Sequence, residues 1–310
     1  VSVAIIKDAQ VRWCRGFGVK DAASRQRVDT ETIFEAASMS KPVFAYFVMK
    51  LCEGHIVDLD TPLTKYSSKR FLQGDPRLDL ITARHVLSHT SGFQNWRSDQ
   101  QKLKIHFMPG EKWMYSGEGY NYLQTVVTAV LGIPFEVYMD TNILKPFLMS
   151  SSSYLPNGSV AKHMARGHDA EGKLREIRKS TPQDIARYGA AGALLTTPSD
   201  YAKFLIEVIH PKPSDTFRLN KTSLKEMLRP QIEVSKDKNY TISWGLGWRI
   251  VQSKDGIVIT HGGENPGFQS WAEASVEKQS GFVLTTNGDN GIKLIRTVGS
   301  SLAEKLYAIS

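Results

Sequence analysis

The sequence predicts an α+β fold, an antiparallel sheet flanked by helices with an inserted helical domain. Two observations predict it. Hydrophobic residues alternate with a period of two near the start of the chain and again after residue 240, whereas residues 61–184 carry helical or loop-like patterns punctuated by Gly and Pro. Strands towards both termini with helices between them describe a split layer, with residues 1–60 and 185–310 forming the α/β sheet domain and residues 61–184 the inserted helical domain.

The elements follow in order. Residues 1–6 and 11–18 read as a β-hairpin closed by Asp8-Ala9-Gln10, and so abrupt a start on a strand suggests that a segment precedes it. Residues 30–34 lead into Phe34-Glu35-Ala36-Ala37-Ser38-Met39-Ser40-Lys41-Pro42 and then an apolar run to Cys52. Apolar residues at 43, 44, 47, 48 and 51 recur at helical spacing, so this is a buried helix whose first turn carries Ser38, Lys41 and Pro42. Proline is tolerated there because first-turn amides have no intrahelical acceptor.

Asp58 to Leu63 form a turn, and residues 82–89 form a short helix ending at Thr90-Ser91-Gly92. Residues 118–132 form another helix, with Tyr120, Leu123, Val126, Val127 and Val130 facing inward. Thr197 or Ser199 caps a helix running to His210. Residues 243–251, 256–261, 269–274 and 281–286 are four strands of an antiparallel meander, and residues 292–307 close the chain as an amphipathic helix.

The chemistry starts at Ser38. Residues i and i+3 share a helix face, so the Ser38 hydroxyl and the Lys41 amine meet. An alcohol is a poor nucleophile, and an amine desolvated enough to be partly neutral at pH 7 takes its proton. The same S-x-x-K spacing recurs at Ser159/Lys162, Ser235/Lys238 and Ser275/Lys278, but only Ser38 stands before a long apolar helix. The turn from Pro109 to Tyr120 presents the Tyr115 phenol to a cleft, where Lys41 as a cation would lower its pKa and let it carry a proton. In Thr260-His261-Gly262-Gly263-Glu264, at the end of a strand, the paired glycines let a substrate lie close along the strand edge.

Other classes carry less weight. His85 and His89 have the i, i+4 spacing of a zinc helix but lack its glutamate and a third ligand, so a structural role is expected and no metal or organic cofactor. Net charge is +8, yet the basic residues of 162–179 alternate with acids and lack interleaved aromatics, which points to a solvated surface and not to nucleic acid. With 41% hydrophobic and 23% charged residues, and no run of eighteen apolar residues, the 310-residue chain is expected to have a large core and no membrane span. Cys14 and Cys52 have no metal-ligand spacing and are expected to be free, buried thiols. The chain begins at Val1 without a leader, so any export signal is removed or absent and the compartment is open.

Several motifs together resemble the penicillin-recognising serine hydrolases, the superfamily of class C β-lactamases, D-Ala-D-Ala carboxypeptidases, D-aminopeptidases and β-lactamase-fold carboxylesterases. They run in the family's order over nearly the whole chain: F-x-x-A-S-x-S-K-P at Phe34 to Pro42, a version of L-x-x-L-D-x-P-L at Ile56 to Leu63, L-S-H-T-S-G at Leu87 to Gly92, P-G-x-x-x-x-Y-S at Pro109 to Ser116, A-G-x-L-x-T-x-x-x-D at Ala191 to Asp200, W-G-L-G-W at Trp244 to Trp248 and H-G-G at His261 to Gly263. The resemblance implies a β-lactamase/transpeptidase-like fold with the site at the junction of its two parts. It implies Ser38 as acylated nucleophile, Lys41 and Tyr115 as general-base pair, His261, Gly262 and Gly263 on the substrate-lining strand, and the amides of Ser38 and Glu264 as oxyanion hole.

Two departures matter. The family's Tyr-x-Asn, whose asparagine contacts the amide side chain of β-lactams and peptides, has Gly117 at its third position, and the third motif has His261 where classical β-lactamases place lysine. A histidine is only partly cationic at neutral pH and would hold a substrate carboxylate less firmly. The expected activity is therefore that of a carboxylesterase acting on a small-molecule ester, with D-amino-acid peptide or amide hydrolysis second, weak β-lactam hydrolysis third, and a catalytically silent sensor or scaffold as the alternative of another class.

Overall fold

Asp8 and Ala9 both take positive φ, 54° and 53°. This is the two-residue turn geometry whose twist matches the strands it joins, and it folds β1 (Ser2–Lys7) back on β2 (Gln10–Gly16). In the computed structural model, which describes residues 1–98, 100–176 and 180–307, β1 also pairs with the strand Ser280–Thr286. The N-terminal hairpin thus completes a sheet that the C-terminal strands begin. Those are β5 (Ile232–Lys236), β6 (Tyr240–Trp244), β7 (Arg249–Ser253), β8 (Gly256–Asn265), β9 (Phe268–Ser275) and β10 (Ser280–Thr286). The eight strands run antiparallel in the order β2-β1-β10-β9-β8-β7-β6-β5. A separate ladder pairs β3 (Phe34–Ala37) with β4 (Leu194–Thr196).

The helices are α1 (Ser40–Glu53), α2 (Ala83–Leu87), α3 (Gly117–Leu131), α4 (Phe135–Met139), α5 (Gly158–His163), α6 (Pro182–Gly192), α7 (Pro198–Ile209), α8 (Lys221–Met227) and α9 (Gly291–Tyr307). Period-two alternation explains how they cover both faces of the sheet. On β10, Phe282 and Leu284 join Val3 of β1 and Ile295 of α9. The intervening Val283, with Ala4 and Ile6, belongs to the main core together with Val43, Phe44 and Val48 of α1 and Phe204 and Val208 of α7. Each such fully buried side chain contributes about 1.5–3 kcal/mol, so the helix behind the site is rigidly seated.

Named strands fall within residues 2–37 and 194–286, and the proposed division of the chain places residue 184 in the first turn of α6. Thr197, not Ser199, caps α7 by accepting the amide of Asp200. No single helix among the described residues is long and apolar enough to cross a membrane. Cys14 and Cys52 are free but only partly buried. In the basic stretch, Lys162, Lys173, Arg175 and Glu176 are exposed, while residues 177–179 lie outside the described residues.

In its strands the structure departs from the sequence reading in four places. Residues 243–251 are two strands, because Gly247 takes φ +88° and bends the chain between β6 and β7; a Cβ there would stand 2.6 Å from Ala45 Cβ. Strand β5 was not foreseen, being an edge strand whose residues are all partly or fully exposed. The β3–β4 ladder is too short for periodicity to reveal. His261-Gly262-Gly263 lies inside β8, which runs on to Asn265.

Candidate active site

Ser38 sits in the turn between β3 and α1, not within the helix as its spacing predicts. The ladder register shifts between Glu35 and Ala37, and Ala37 takes φ 49°, a left-handed conformation costing a non-glycine residue about 1–2 kcal/mol. Surrounding bonds hold it there. Ser40 Oγ donates to Ala37 O (2.6 Å) and accepts the Leu194 amide (2.9 Å), the Met39 amide donates to Ala36 O (3.1 Å), and Tyr201 OH donates to Met39 O (3.0 Å). Ser38 is left partly exposed at the rim of a cavity.

Lys41 is fully buried. Its Nζ lies 3.0 Å from Ser38 Oγ and donates to Ala191 O at 2.6 Å. The rings of Tyr115, Tyr120 and Trp96 stand 5.0, 5.6 and 5.9 Å from it. Desolvation outweighs these weak cation–π contacts and lowers its pKa to about 7. A neutral amine that gives one N–H to Ala191 O keeps a lone pair for the Ser38 proton. In the other three S-x-x-K pairs, Lys162, Lys238 and Lys278 are all exposed.

The loop carrying Tyr115 is pinned on both sides. Ser116 caps α3, accepting the Gly119 amide (2.9 Å) and donating to Gln94 O (2.9 Å). His89 accepts the Ser116 amide at Nδ1 (3.0 Å), and its carbonyl accepts the Met114 amide (2.8 Å). The His89 ring lies 4.2 Å from that of Tyr115, with Trp244 edge-on at 5.8 Å. His85 Nδ1 accepts the Thr82 amide at 3.3 Å. The two histidines thus have separate structural tasks, and that of His89 is to hold the Tyr115 loop.

The electrostatic expectation for Tyr115 is corrected. Burial pushes its pKa up, and its hydrogen bond with Ser38 offsets this only in part. Lys41, itself driven towards neutrality by the same burial, does not supply the full positive charge that the sequence reading assumed.

His261 is corrected in the same direction. It is buried beside Trp244 and Tyr115, with ring centroids 5.7 and 6.2 Å apart. Burial and the nearby Lys41 lower its pKa to about 3, although its Nδ1 bonds to Gly262 O at 2.7 Å. At neutral pH it is therefore uncharged and does not act as a partial cation.

Gly263 explains the paired glycines. A Cβ on it would stand 2.2 Å from Ala36 O and 3.0 Å from Ser38 N, while Ser270 Oγ donates to that same Ala36 O at 2.8 Å. Only glycine lets β8 lie against the turn that carries Ser38, which brings the chain at Glu264 to the same cavity.

That cavity measures about 1730 Å³ and brings Ser38, Tyr115, His261, Gly262, Gly263 and Glu264 together. Lys41 lies behind Ser38. The cavity exceeds the roughly 300–1,000 Å³ usual for a small ligand, leaving room beyond the reacting bond. Sequence reasoning missed Trp96, Tyr188 and Arg249, which also line it. The one available signal was Arg249, on the strand that follows the W-G-L-G-W motif.

Comparison with known proteins gives the family and the fold. The profile of the family described as Beta-lactamase matches residues 1–298. Penicillin-binding protein 4* of Bacillus subtilis (strain 168) is 24% identical over 326 residues, covering 92% of this chain and 67% of that protein. The chain spans 59% to 67% of the length of the first curated relatives it matches. The octameric penicillin-binding protein homologue from Pyrococcus abyssi superposes with a TM-score of 0.78 at 25% identity, over 96% of this chain and 73% of that one. A class C beta lactamase superposes at 0.81 with 18% identity, over 98% and 92%, and shows the shared fold.

Proposed function

Because the chain belongs to the Beta-lactamase family, within the penicillin-recognising serine hydrolase superfamily, we propose that it forms an acyl-enzyme on Ser38 and acts chiefly as a carboxylesterase. The observation that carries this reading is the buried Lys41 amine 3.0 Å from Ser38 Oγ, with Ala191 O taking one of its hydrogens. Neutral Lys41 takes the Ser38 proton as Oγ bonds to the ester carbon. The carbonyl oxygen becomes an oxyanion facing the amides of Ser38 and Glu264, each such donor being worth about 10²–10³ in rate. Collapse breaks the carbon–alkoxide bond. The alkoxide takes the proton of Tyr115, which is replaced by the one Lys41 accepted. Water then attacks the acyl carbon by the same path, giving its proton to Lys41, and Ser38 leaves as the alcohol with the acid as product.

The raised pKa of Tyr115 suits this role, since a phenol protonated at neutral pH is a donor and relay. The pH dependence follows. Only neutral Lys41 accepts a proton, and its pKa is about 7, so kcat/KM for an uncharged ester is expected to rise about tenfold per pH unit below that value and level off above it. His261, at about 3, adds no inflection between pH 5 and 8. A profile flat across that range contradicts Lys41 as the base.

The carboxylester preference rests on what the site does not offer. An alkoxide or phenolate departs more readily than an amine, Gly117 supplies no amide donor, and neutral His261 supplies no cation. Each missing hydrogen bond to a polar or charged group is worth roughly 1–3 kcal/mol. Comparison of kcat/KM for p-nitrophenyl butyrate, nitrocefin and a D-alanyl anilide, each divided by its uncatalysed rate, is expected to favour the ester. A corrected preference for the anilide would favour the second reading, a D-amino-acid amidase or peptidase. Arg249 supports that alternative, because it opens onto the cavity next to Thr260 and is suited to a substrate carboxylate.

A further inference from the structure

Gly117 is empty space already filled by another residue. A Cβ placed on it would stand 2.4 Å from Cη2 of Trp96, with two further ring carbons within 2.7 Å. No side chain at 117 fits while the indole is there. The backbone that carries the indole is held in place, because both of its sequence neighbours are tied to the start of α3. Asn95 Oδ1 accepts the Gly117 amide (2.9 Å), and Asn95 O accepts the Glu118 amide (3.0 Å). Arg97 donates its own amide (3.0 Å), Nε (2.9 Å) and Nη2 (2.6 Å) to the Glu118 carboxylate, which is almost fully buried.

Held this way, Trp96 still has 43% of its surface exposed and lines the Ser38 cavity. Tyr188 of α6 meets it edge to face, with centroids 6.0 Å apart at 74°, and lines the cavity too. Beside Gly117 the cavity therefore presents the Trp96 indole joined by Tyr188, and an amide donor at 117 would have to reach past Trp96. Aromatic walls attract flat apolar groups by area and by ring quadrupole, and a fixed wall loses little entropy on binding.

We propose that Trp96, seated in the space left by Gly117 and joined by Tyr188, is the specificity-determining wall of the acyl pocket and selects esters whose acyl group carries an aromatic ring. This rests on the Ser38 acyl-enzyme reading, and it takes the acyl side from position 117, where the family resemblance implies contact with the acyl side chain. Glu118 and Arg97 act as positioning residues that hold the wall.

The experiment compares kcat/KM for p-nitrophenyl phenylacetate and p-nitrophenyl acetate, which share a leaving group, each corrected for its rate in buffer. Fluorophosphonate labelling of Ser38 is measured alongside. The wild-type ratio is expected to favour phenylacetate by about tenfold or more, Trp96→Ala to lower that ratio by more than threefold, and Trp96→Phe to lower it less than Trp96→Ala. If Trp96→Ala does not fold, Tyr188→Ala is read by the same ratio and threshold. A ratio that moves by threefold or less, with Ser38 still labelled, overturns the wall and leaves the hydrolase reading standing. A wild-type protein that neither labels nor turns over either ester overturns the hydrolase reading and the wall with it.

Discussion

Ser38→Ala is expected to lower kcat for an activated ester by about 10⁴-fold or more, the scale on which loss of a serine nucleophile is felt, and to leave the folded structure intact. Ser38 is partly exposed in a turn, and its Oγ bonds Lys41 and Tyr115 but none of the backbone groups that fix the turn. Those are held by Ser40 and Tyr201. Alanine variants of Ser159, Ser235 and Ser275 are expected to keep wild-type turnover, since the lysine of each pair is exposed and the site lies elsewhere. Circular dichroism and steady-state kinetics on the four variants measure this. Turnover in Ser38→Ala within tenfold of wild type would remove the nucleophile from the account.

Lys41→Ala and Tyr115→Phe are each expected to lower kcat by about a hundredfold or more, the usual contribution of a positioned proton-transfer group. The double variant should be little worse than the poorer single one. Lys41 receives the Ser38 proton and Tyr115 passes one to the leaving group, so the two share one path and the second loss finds it already broken. The kinetic cycle on a single ester tests this directly. Effects that multiply independently would mean that the two groups serve different steps. Lys41→Ala carries a further consequence: it should remove the rise of kcat/KM through about pH 7.

The order of the elements was legible because it depends on local pattern. Alternation marked both ends of the sheet, and the apolar positions from Val43 to Leu51 marked α1. Serine and lysine at i and i+3 before that helix were legible for the same reason, and burial of the helix start anticipated a lysine near neutrality. Charge states that depend on three-dimensional burial were not legible. Tyr115 was expected to feel Lys41 as a cation, but both groups are buried together, so the phenol's pKa rises. His261 was expected to be partly charged, but the pairing of β8 with its neighbours and the rings of Trp244 and Tyr115 take its water away.

Through-space consequences were equally hidden. Gly117 reads in sequence as a missing asparagine, and only the fold shows that Trp96, twenty-one positions earlier, fills its place. Likewise Gly263 reads in sequence as room for a substrate along a strand edge, whereas its neighbours are Ala36 O and Ser38 N, from the other end of the chain.

The central claim is tested most directly by peptide mass mapping after brief acid quench of the protein with an activated ester. The account predicts one acyl group per chain, on the peptide that contains Ser38, and none in Ser38→Ala. An adduct on any other residue, or one that survives in Ser38→Ala, would contradict it.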